Sequence, residues 1–321
     1  MVSRYLLAVL LVLAPGLPAL AQGAPEPTPT PAAERPAPVP PMAFASPEAG
    51  FAAFAAAMAR HDEARLLRVL GEAGRALIRS GDAVADRAAR ARFTELYAAA
   101  HRITRPAPGR AELEIGPEAW PLPIPMVERG GRWRFDARAG AEEVLNRRIG
   151  RNELDTIAVL REILRAQREY AAGPGRRGAL QAYARRFFST PGTQDGLYWP
   201  PEAGEAPSPL GPLAAAASAG GYARRGPGEA PRPFHGYFFR ILEGQGPSAR
   251  GGAIDYVVDG RMIGGFAVLA WPAQWGSSGV QSFMVSHAGE VFQANLGPET
   301  ARRAAAITRF DPGPGWSVVA D

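Results

Sequence analysis

The chain has 321 residues, 46% of them hydrophobic, and a formal net charge of +5. All 36 basic residues are arginines and no cysteine is present, which excludes a disulfide scaffold and thiolate metal sites. The positive surplus is small and the arginines are mixed with acids, so we predict no nucleic-acid partner.

Residues 1–21 have the pattern of a secretory signal peptide. Arg4 supplies a positive charge, residues 5–14 form an unbroken apolar run, and residues 19–21 end the segment with small side chains. We predict cleavage after Ala21 and a periplasmic or secreted mature protein. The apolar run is about half the ~20 residues that a transmembrane helix needs, so we expect no membrane span after cleavage.

A proline-rich segment follows the leader over residues 22–45. Such a composition favours extended polyproline II structure over a packed core, and we predict a disordered linker here. An N-terminal module is predicted over residues 46–140. Ser46 before Pro47 indicates the capped start of its first helix, and two further helices follow, the last over about 83–101.

Three strands are expected at the end of this module, and the middle one carries alternating prolines. Pro121, Pro123 and Pro125 remove the amide donors from one side of the strand 120–127. We therefore predict an edge strand of a small antiparallel sheet. The other two strands are predicted over 111–115 and 132–136.

Residues 141–321 are predicted to form a C-terminal module. Asn152 is expected to cap a long helix that runs to about Ala172, and Asp259-Gly260 gives the strongest hairpin signal in the chain. The predicted fold class is α+β, with an N-terminal helical module carrying a small antiparallel sheet, then a long helix packed on a C-terminal antiparallel β-meander. The C-terminal strands are predicted over 234–242, 255–258, 262–271, 281–286 and 290–294, with a short helix near 299–307.

Several short motifs resemble a bacterial family known only as domain of unknown function 2950. The resemblance runs over most of residues 46–319 and implies an exported, uncharacterised protein with no activity to carry over. The motifs include Trp120-Pro-Leu-Pro-Ile-Pro, Asn146-Arg-Arg-Ile-Gly-Arg-Asn-Glu153, Asp195-Gly-Leu-Tyr-Trp-Pro200 and Gly260-Arg-Met-Ile-Gly-Gly-Phe266.

The C-terminal half is also similar to the globular heads of type IV pilin-like proteins, through its long helix followed by an antiparallel meander. Pilins keep a long apolar N-terminal helix as their assembly core, whereas this chain carries a cleavable leader. The resemblance therefore implies a shared head architecture rather than assembly into a pilus.

Two groups of side chains suggest a ligand site. The arginines of the motif 146–153 have the guanidinium forks that suit carboxylate or phosphate groups, or else they bridge the two modules through salt bridges while Asn152 caps the helix. Three tryptophans offer a stacking platform for sugars or a peptide, or else belong to the core of the sheet. The candidate ligand-binding residues are Arg148, Arg151, Asn152, Trp199, Trp271 and Trp275.

No catalytic motif is recognisable. The serines lie outside a Gly-x-Ser-x-Gly turn, and the four histidines and the carboxylates lack metal-ligand spacing. We predict no catalytic residue, no metal and no cofactor.

Three functions remain open. We favour a non-catalytic envelope binding or assembly module whose partner is an envelope protein, a glycan or an anionic polymer. The alternatives are a periplasmic hydrolase that acts on wall or envelope polymers, and a pilin-like accessory protein.

Overall fold

The computed structural model describes residues 39–201, 207–222 and 232–320. The predicted signal peptide and most of the predicted linker lie outside the described residues. Residues 39–45, which were predicted to be disordered linker, instead pack on the N-terminal part. The amide of Met42 donates a hydrogen bond of 3.0 Å to the carbonyl of Arg68, and Phe44 exchanges backbone hydrogen bonds of 2.8 and 2.9 Å with Trp133.

The described residues form seven α-helices, one 3-10 turn and fifteen strands. The helices are α1 (Pro47–Ala59), α2 (Glu63–Leu70), α3 (Arg75–Ile78), α4 (Ala83–Ala99), α5 (Ala137–Ala172), α6 (Gly211–Ala219) and α7 (Thr300–Ala306), with the 3-10 turn at Glu72–Gly74. The strands are β1 (His101–Ala107), β2 (Arg110–Ile115), β3 (Trp120–Arg129), β4 (Arg132–Phe135), β5 (Arg176–Arg177), β6 (Leu180–Gln181), β7 (Tyr237–Leu242), β8 (Gly244–Gln245), β9 (Ile254–Asp255), β10 (Val257–Val258), β11 (Arg261–Met262), β12 (Ala267–Pro272), β13 (Gln281–Ser286), β14 (Val291–Asn295) and β15 (Ser317–Val318).

The N-terminal part packs α1, α2 and α4 against a four-stranded antiparallel sheet of order β1-β2-β3-β4. Ser46 caps α1 as predicted, because its hydroxyl accepts a hydrogen bond of 3.3 Å from the amide of Ala49. The prediction of three strands was wrong: α4 ends at Ala99, and β1 begins at His101. Only Ile103 and Thr104 of β1 are even partly buried, so this edge strand lacks the apolar alternation that marks a strand in a sequence.

The proline-rich strand β3 is not an edge strand, because it pairs with both β2 and β4. Its pairing with β4 covers only the end of the strand, from Met126 to Arg129. The carbonyl of Pro125 accepts from the amide of Asp136 at 2.9 Å, so the proline side of the strand is the β4 side. The three missing donors therefore mark the stretch where β4 has not yet begun and α5 covers β3 instead.

The long helix α5 begins earlier than predicted, and Asn152 is not its N-cap. Asp136 caps the helix by accepting a hydrogen bond of 3.2 Å from the amide of Ala139, and Asn152 lies about four turns inside it. Gly140 gives the helix room, because a Cβ there would overlap the backbone carbonyl of Pro123. The glycine costs about 1 kcal/mol in helix propensity, which the packing of α5 on β3 overrides.

The C-terminal part is a five-stranded antiparallel sheet of order β15-β14-β13-β12-β7. The hairpin at Asp259-Gly260 is confirmed, and both residues have positive φ angles, 49° and 74°, as a type I′ turn requires. The register places Phe238 and Trp271 on the sheet face that α7 covers, while Tyr237 points to the opposite face. The α+β prediction, with a long helix and a C-terminal antiparallel sheet, is confirmed.

Two hydrophobic cores lie along α5. One contains Phe51, Leu113 and Met126 beside the four-stranded sheet, and the other contains Leu160 and Phe283 beside the five-stranded sheet. The first half of α5 packs on the first core and its second half on the second. Within the described ranges, every helix is too short or too polar to cross a membrane.

Candidate functional site

The loop between β12 and β13 is fixed to the middle of α5. Asn152 Nδ2 donates a hydrogen bond of 2.8 Å to the carbonyl of Ser278. The neighbouring Glu153 accepts bonds of 2.9 Å from the amides of Val280 and Gln281 through Oε1. These partners lie far apart in the sequence, and together they hold the loop in one conformation.

Arg148 ties the same loop to the N-terminal part. Its guanidinium donates hydrogen bonds of 2.8 and 2.7 Å to the carbonyls of Ala76 and Leu77, and one of 3.4 Å to Ser277 Oγ. Burial lowers the pKa of Arg148, and the charge of Asp86 offsets part of this effect. Arg148 thus joins the two parts through carbonyl groups, not through the salt bridge that the sequence suggested.

The other arginines of the motif have different environments. Arg147 forms an ion pair of 2.6 Å with Glu143, one turn earlier in α5. Arg151 is exposed, and it has no hydrogen bond or ion pair with any residue in the described ranges. Arg151 is therefore the one of the three predicted α5 residues whose side chain is available to a ligand.

The three tryptophans are not in one cluster. Trp275 lies in the loop held by α5; it is partly exposed, and its indole N–H donates a hydrogen bond of 2.9 Å to Asn295 Oδ1. Trp199 is 7% exposed within the C-terminal core, and its Nε1 has no hydrogen-bond partner among the described residues. Burial of this size leaves Trp199 without a face for a ligand.

Trp271 lies on the α7 side of the sheet and is partly exposed. Its ring packs 5.8 Å from Phe238, and the guanidinium carbon of Arg240 lies 5.5 Å from the ring centroid, which is within the range of a cation–π contact. Trp271 and the loop of Trp275 meet at the end of β12. The structure therefore brings together Arg148, Asn152 and the Trp275 loop. Arg151 precedes Asn152 on α5 with an exposed side chain, and Trp199 lies in the C-terminal core.

A buried carboxylate at the same junction was missed by the sequence analysis. Asp82 Oδ1 accepts from the amides at the start of α4, and Oδ2 accepts bonds of 2.8 Å from the Tyr222 hydroxyl and the amide of Gly236. Burial raises the pKa of Tyr222, as do the charge of Asp82 and its hydrogen bond, so the phenol stays a neutral donor. The only local signal in the sequence is the turn Ser80-Gly81-Asp82 before α4, which is typical of a helix cap.

A histidine–carboxylate pair lies beside this network. His235 Nδ1 is 3.4 Å from Asp155 Oδ2, and both side chains are about 40% exposed. His235 has a φ of 50°, a left-handed conformation that is uncommon outside glycine and asparagine. Its ring packs against Tyr222 and Phe234. The pair joins α5 to the residues just before β7, and no sequence spacing could have indicated it.

Two surface clefts lie away from all six predicted residues. One, of about 280 Å³, lies at the corner between α1 and α2, and the other, of about 340 Å³, is lined by Glu243, Asp255 and Arg309 among others. In the described part of the chain, no group of three or more histidine, aspartate or glutamate side chains is placed to hold a metal ion.

Comparison with known proteins gives one match. A family model described as "Protein of unknown function (DUF2950)" matches residues 42–319, which is most of the chain. No curated protein and no solved structure matches the sequence.

Proposed function

The chain belongs to the DUF2950 family of proteins of unknown function, and on that premise we propose that it is an exported, non-catalytic binding or assembly module of the cell envelope. The partner is an envelope protein, a glycan or an anionic polymer. The charged, apolar and small-residue regions of residues 1–21 support export. Cleavage after Ala21 releases the protein to the periplasm or the outside of the cell.

The proposal depends on a loop that hydrogen bonds hold in place and on an exposed arginine, Arg151, that has no described partner. Asn152 and Glu153 bond the backbone of the β12–β13 loop, and the Trp275 indole is bonded to Asn295, so both the loop and the ring are held by the protein itself. Preorganisation of this kind raises affinity, because less conformational entropy is lost on binding. Arg151 precedes Asn152 on α5, is exposed, and has no hydrogen bond or ion pair within the described residues.

The six candidate residues have separate roles in this proposal. Arg151 and Trp275 contact the partner directly, Arg151 by charge and Trp275 by its ring. Trp271 extends the aromatic surface at the end of β12. Arg148 and Asn152 are bonded to the β12–β13 loop and support the surface from within. Trp199 belongs to the C-terminal core and takes no part in this surface.

A sedimentation assay tests the proposal. The mature protein is mixed with the isolated envelope fraction of the source cells and pelleted. The protein should sediment with the envelope, and Arg151→Ala/Trp275→Ala should weaken its binding about tenfold, the effect of losing about 1.4 kcal/mol. Trp120→Ala is the matched control, because Trp120 is 53% exposed on the other sheet. Equal binding by both variants would refute the proposed surface.

The hydrolase alternative is favoured by one observation, the pairing of His235 with Asp155 at 3.4 Å. A carboxylate that orients an imidazole is the arrangement used to activate water or a hydroxyl as a nucleophile. If the protein were such an enzyme, it would release soluble fragments from the envelope fraction, and His235→Gln would abolish the release. Our proposal predicts no release by either form.

The pilin-like accessory role has the weaker support of architecture alone, since a long helix beside an antiparallel meander recurs with many functions. Filaments, or cross-links to pilus components, would favour it over the binding module.

A further inference from the structure

A cationic cleft lies at the corner between α1 and α2, away from the loop of Trp275. Its volume is about 280 Å³, which is room for a small polyatomic ion with its water, since one water takes about 30 Å³ of liquid. Small side chains of α1 and three arginines line it. The lining residues are Ala53, Ala56, Ala57, Arg60, Asp62, Arg65 and Arg68.

The turn between α1 and α2 determines where the backbone places Arg60, Arg65 and Arg68. His61 takes a left-handed φ of 51° at the corner, and Asp62 caps α2 by accepting a hydrogen bond of 2.8 Å from the amide of Arg65. Arg65 and Arg68 are one turn apart and share a side of α2, while Leu66 and the other apolar residues of α2 face the core. Arg60 directly follows α1 as its C-cap and also lines the cleft.

The guanidinium groups of this cleft have no counter-charge in contact. In the described ranges, Arg60, Arg65 and Arg68 make no side-chain hydrogen bond or ion pair. The nearby Glu63 is taken by Arg79 at 2.6 Å and by Arg90 at 3.4 Å. The lining therefore carries three positive groups against the single carboxylate of Asp62, whose Oδ1 is engaged in the cap.

We propose that this cleft binds a phosphoryl oxyanion, either as free phosphate or as the phosphate of a lipid headgroup. A guanidinium presents paired N–H donors that match two phosphate oxygens, and three such groups around one cleft suit a dianion. The alanine side chains leave the guanidinium groups unobstructed. The site is independent of the proposed surface at Arg151 and Trp275, so either can fail without the other.

Calorimetric titration of the full mature protein with inorganic phosphate, and flotation with vesicles, test the site. The vesicles contain either phosphatidylglycerol or phosphatidylcholine only. Arg65→Ala/Arg68→Ala should weaken binding about tenfold or more, because two charge-assisted contacts are lost. The matched control is Arg87→Ala/Arg92→Ala on α4, which removes the same charge from two exposed arginines outside the cleft.

The outcomes separate clearly. Phosphate binding that only the cleft variant loses supports the site with free phosphate as its ligand. The same pattern confined to phosphatidylglycerol vesicles supports it with the lipid headgroup as the source. No binding to either probe overturns the proposal, as does equal loss in both variants, which indicates net charge alone. Arg65→Lys/Arg68→Lys keeps the charge but not the forks and should bind with intermediate affinity, which guards against misfolding of the alanine variant.

Discussion

Replacement of Asp82 by alanine tests the junction between the two parts of the protein. Asp82 is 1% exposed, and its carboxylate accepts four hydrogen bonds: two from the start of α4 at 3.1 and 3.0 Å, and two of 2.8 Å from Tyr222 and Gly236. Loss of the helix cap costs about 1 kcal/mol. The Tyr222 hydroxyl and the amide of Gly236 would lose their acceptor, and each unsatisfied donor costs about 1–3 kcal/mol.

The expected loss for Asp82→Ala is therefore about 3–7 kcal/mol, a large share of the stability of a typical domain. Urea unfolding followed by fluorescence and circular dichroism measures it. Tyr222→Phe alone should cost about 1–2 kcal/mol. The double variant should lose less than the two single losses combined, because the residues share one hydrogen bond.

Glu142→Ala is the control, because Glu142 is an exposed residue of α5 and should change stability by less than about 0.5 kcal/mol. If Asp82→Ala lowers the free energy of unfolding no more than this control does, Asp82 does not hold the junction together. Strict additivity of Asp82→Ala and Tyr222→Phe would separately show that their bond contributes nothing.

Substitutions at Gly140, Asn152 and Asp195 test three other features of the fold. Gly140→Ala should lower the free energy of unfolding by about 2–4 kcal/mol, because its Cβ would overlap a backbone carbonyl of β3, whereas Gly150→Ala meets nothing within 4 Å and should stabilise slightly in the same urea assay. Asn152→Asp replaces a buried donor by a carboxylate facing a carbonyl; we expect a loss of about 2–4 kcal/mol, and a wild-type melting temperature would contradict it. Burial raises the pKa of Asp195, but hydrogen bonds from Thr190 and Thr193 and the charge of Arg186 outweigh this effect. The net result is a pKa below the ordinary value of 3.8. The ionised Asp195 therefore stabilises the protein above pH 3.8, and this stabilisation is lost as the pH falls through the lowered pKa. In Asp195→Asn the free energy of unfolding should depend less on pH in that window. An NMR titration that gives Asp195 a pKa above 3.8 would contradict this.

Local patterns predicted much of the fold. The Ser46 cap and the Asp259-Gly260 hairpin depend on residues adjacent in the sequence, and the hairpin between β13 and β14 needs only a short turn. Such signals survive folding because their partners are close along the chain. The predicted start of the long helix at Asn152 was wrong, because Gly140 and Gly150 interrupt an otherwise strong helix-forming segment. The packing of Gly140 on β3 and the cap at Asp136 explain why the helix continues through it.

The candidate site was less predictable because its contacts are long-range. Asn152 bonds a carbonyl 126 positions away, and Asp82 bonds the amide of Gly236 154 positions away. Residue type alone suggests that Arg148 and Arg151 could bind an anion. It does not show that Arg148 is bonded to backbone carbonyls or that Arg151 has no partner among the described residues. The same limit applies to His235 and Asp155, which no motif connects.

Photo-cross-linking at residue 275 in living cells tests whether this position contacts an envelope partner. A photoreactive amino acid replaces Trp275 in one variant and the exposed Trp120 in another, and adducts from the envelope fraction are identified by mass spectrometry. We expect a defined envelope adduct from position 275 that Arg151→Ala weakens and that position 120 does not give. The same adducts from both positions, or none from position 275, would contradict it.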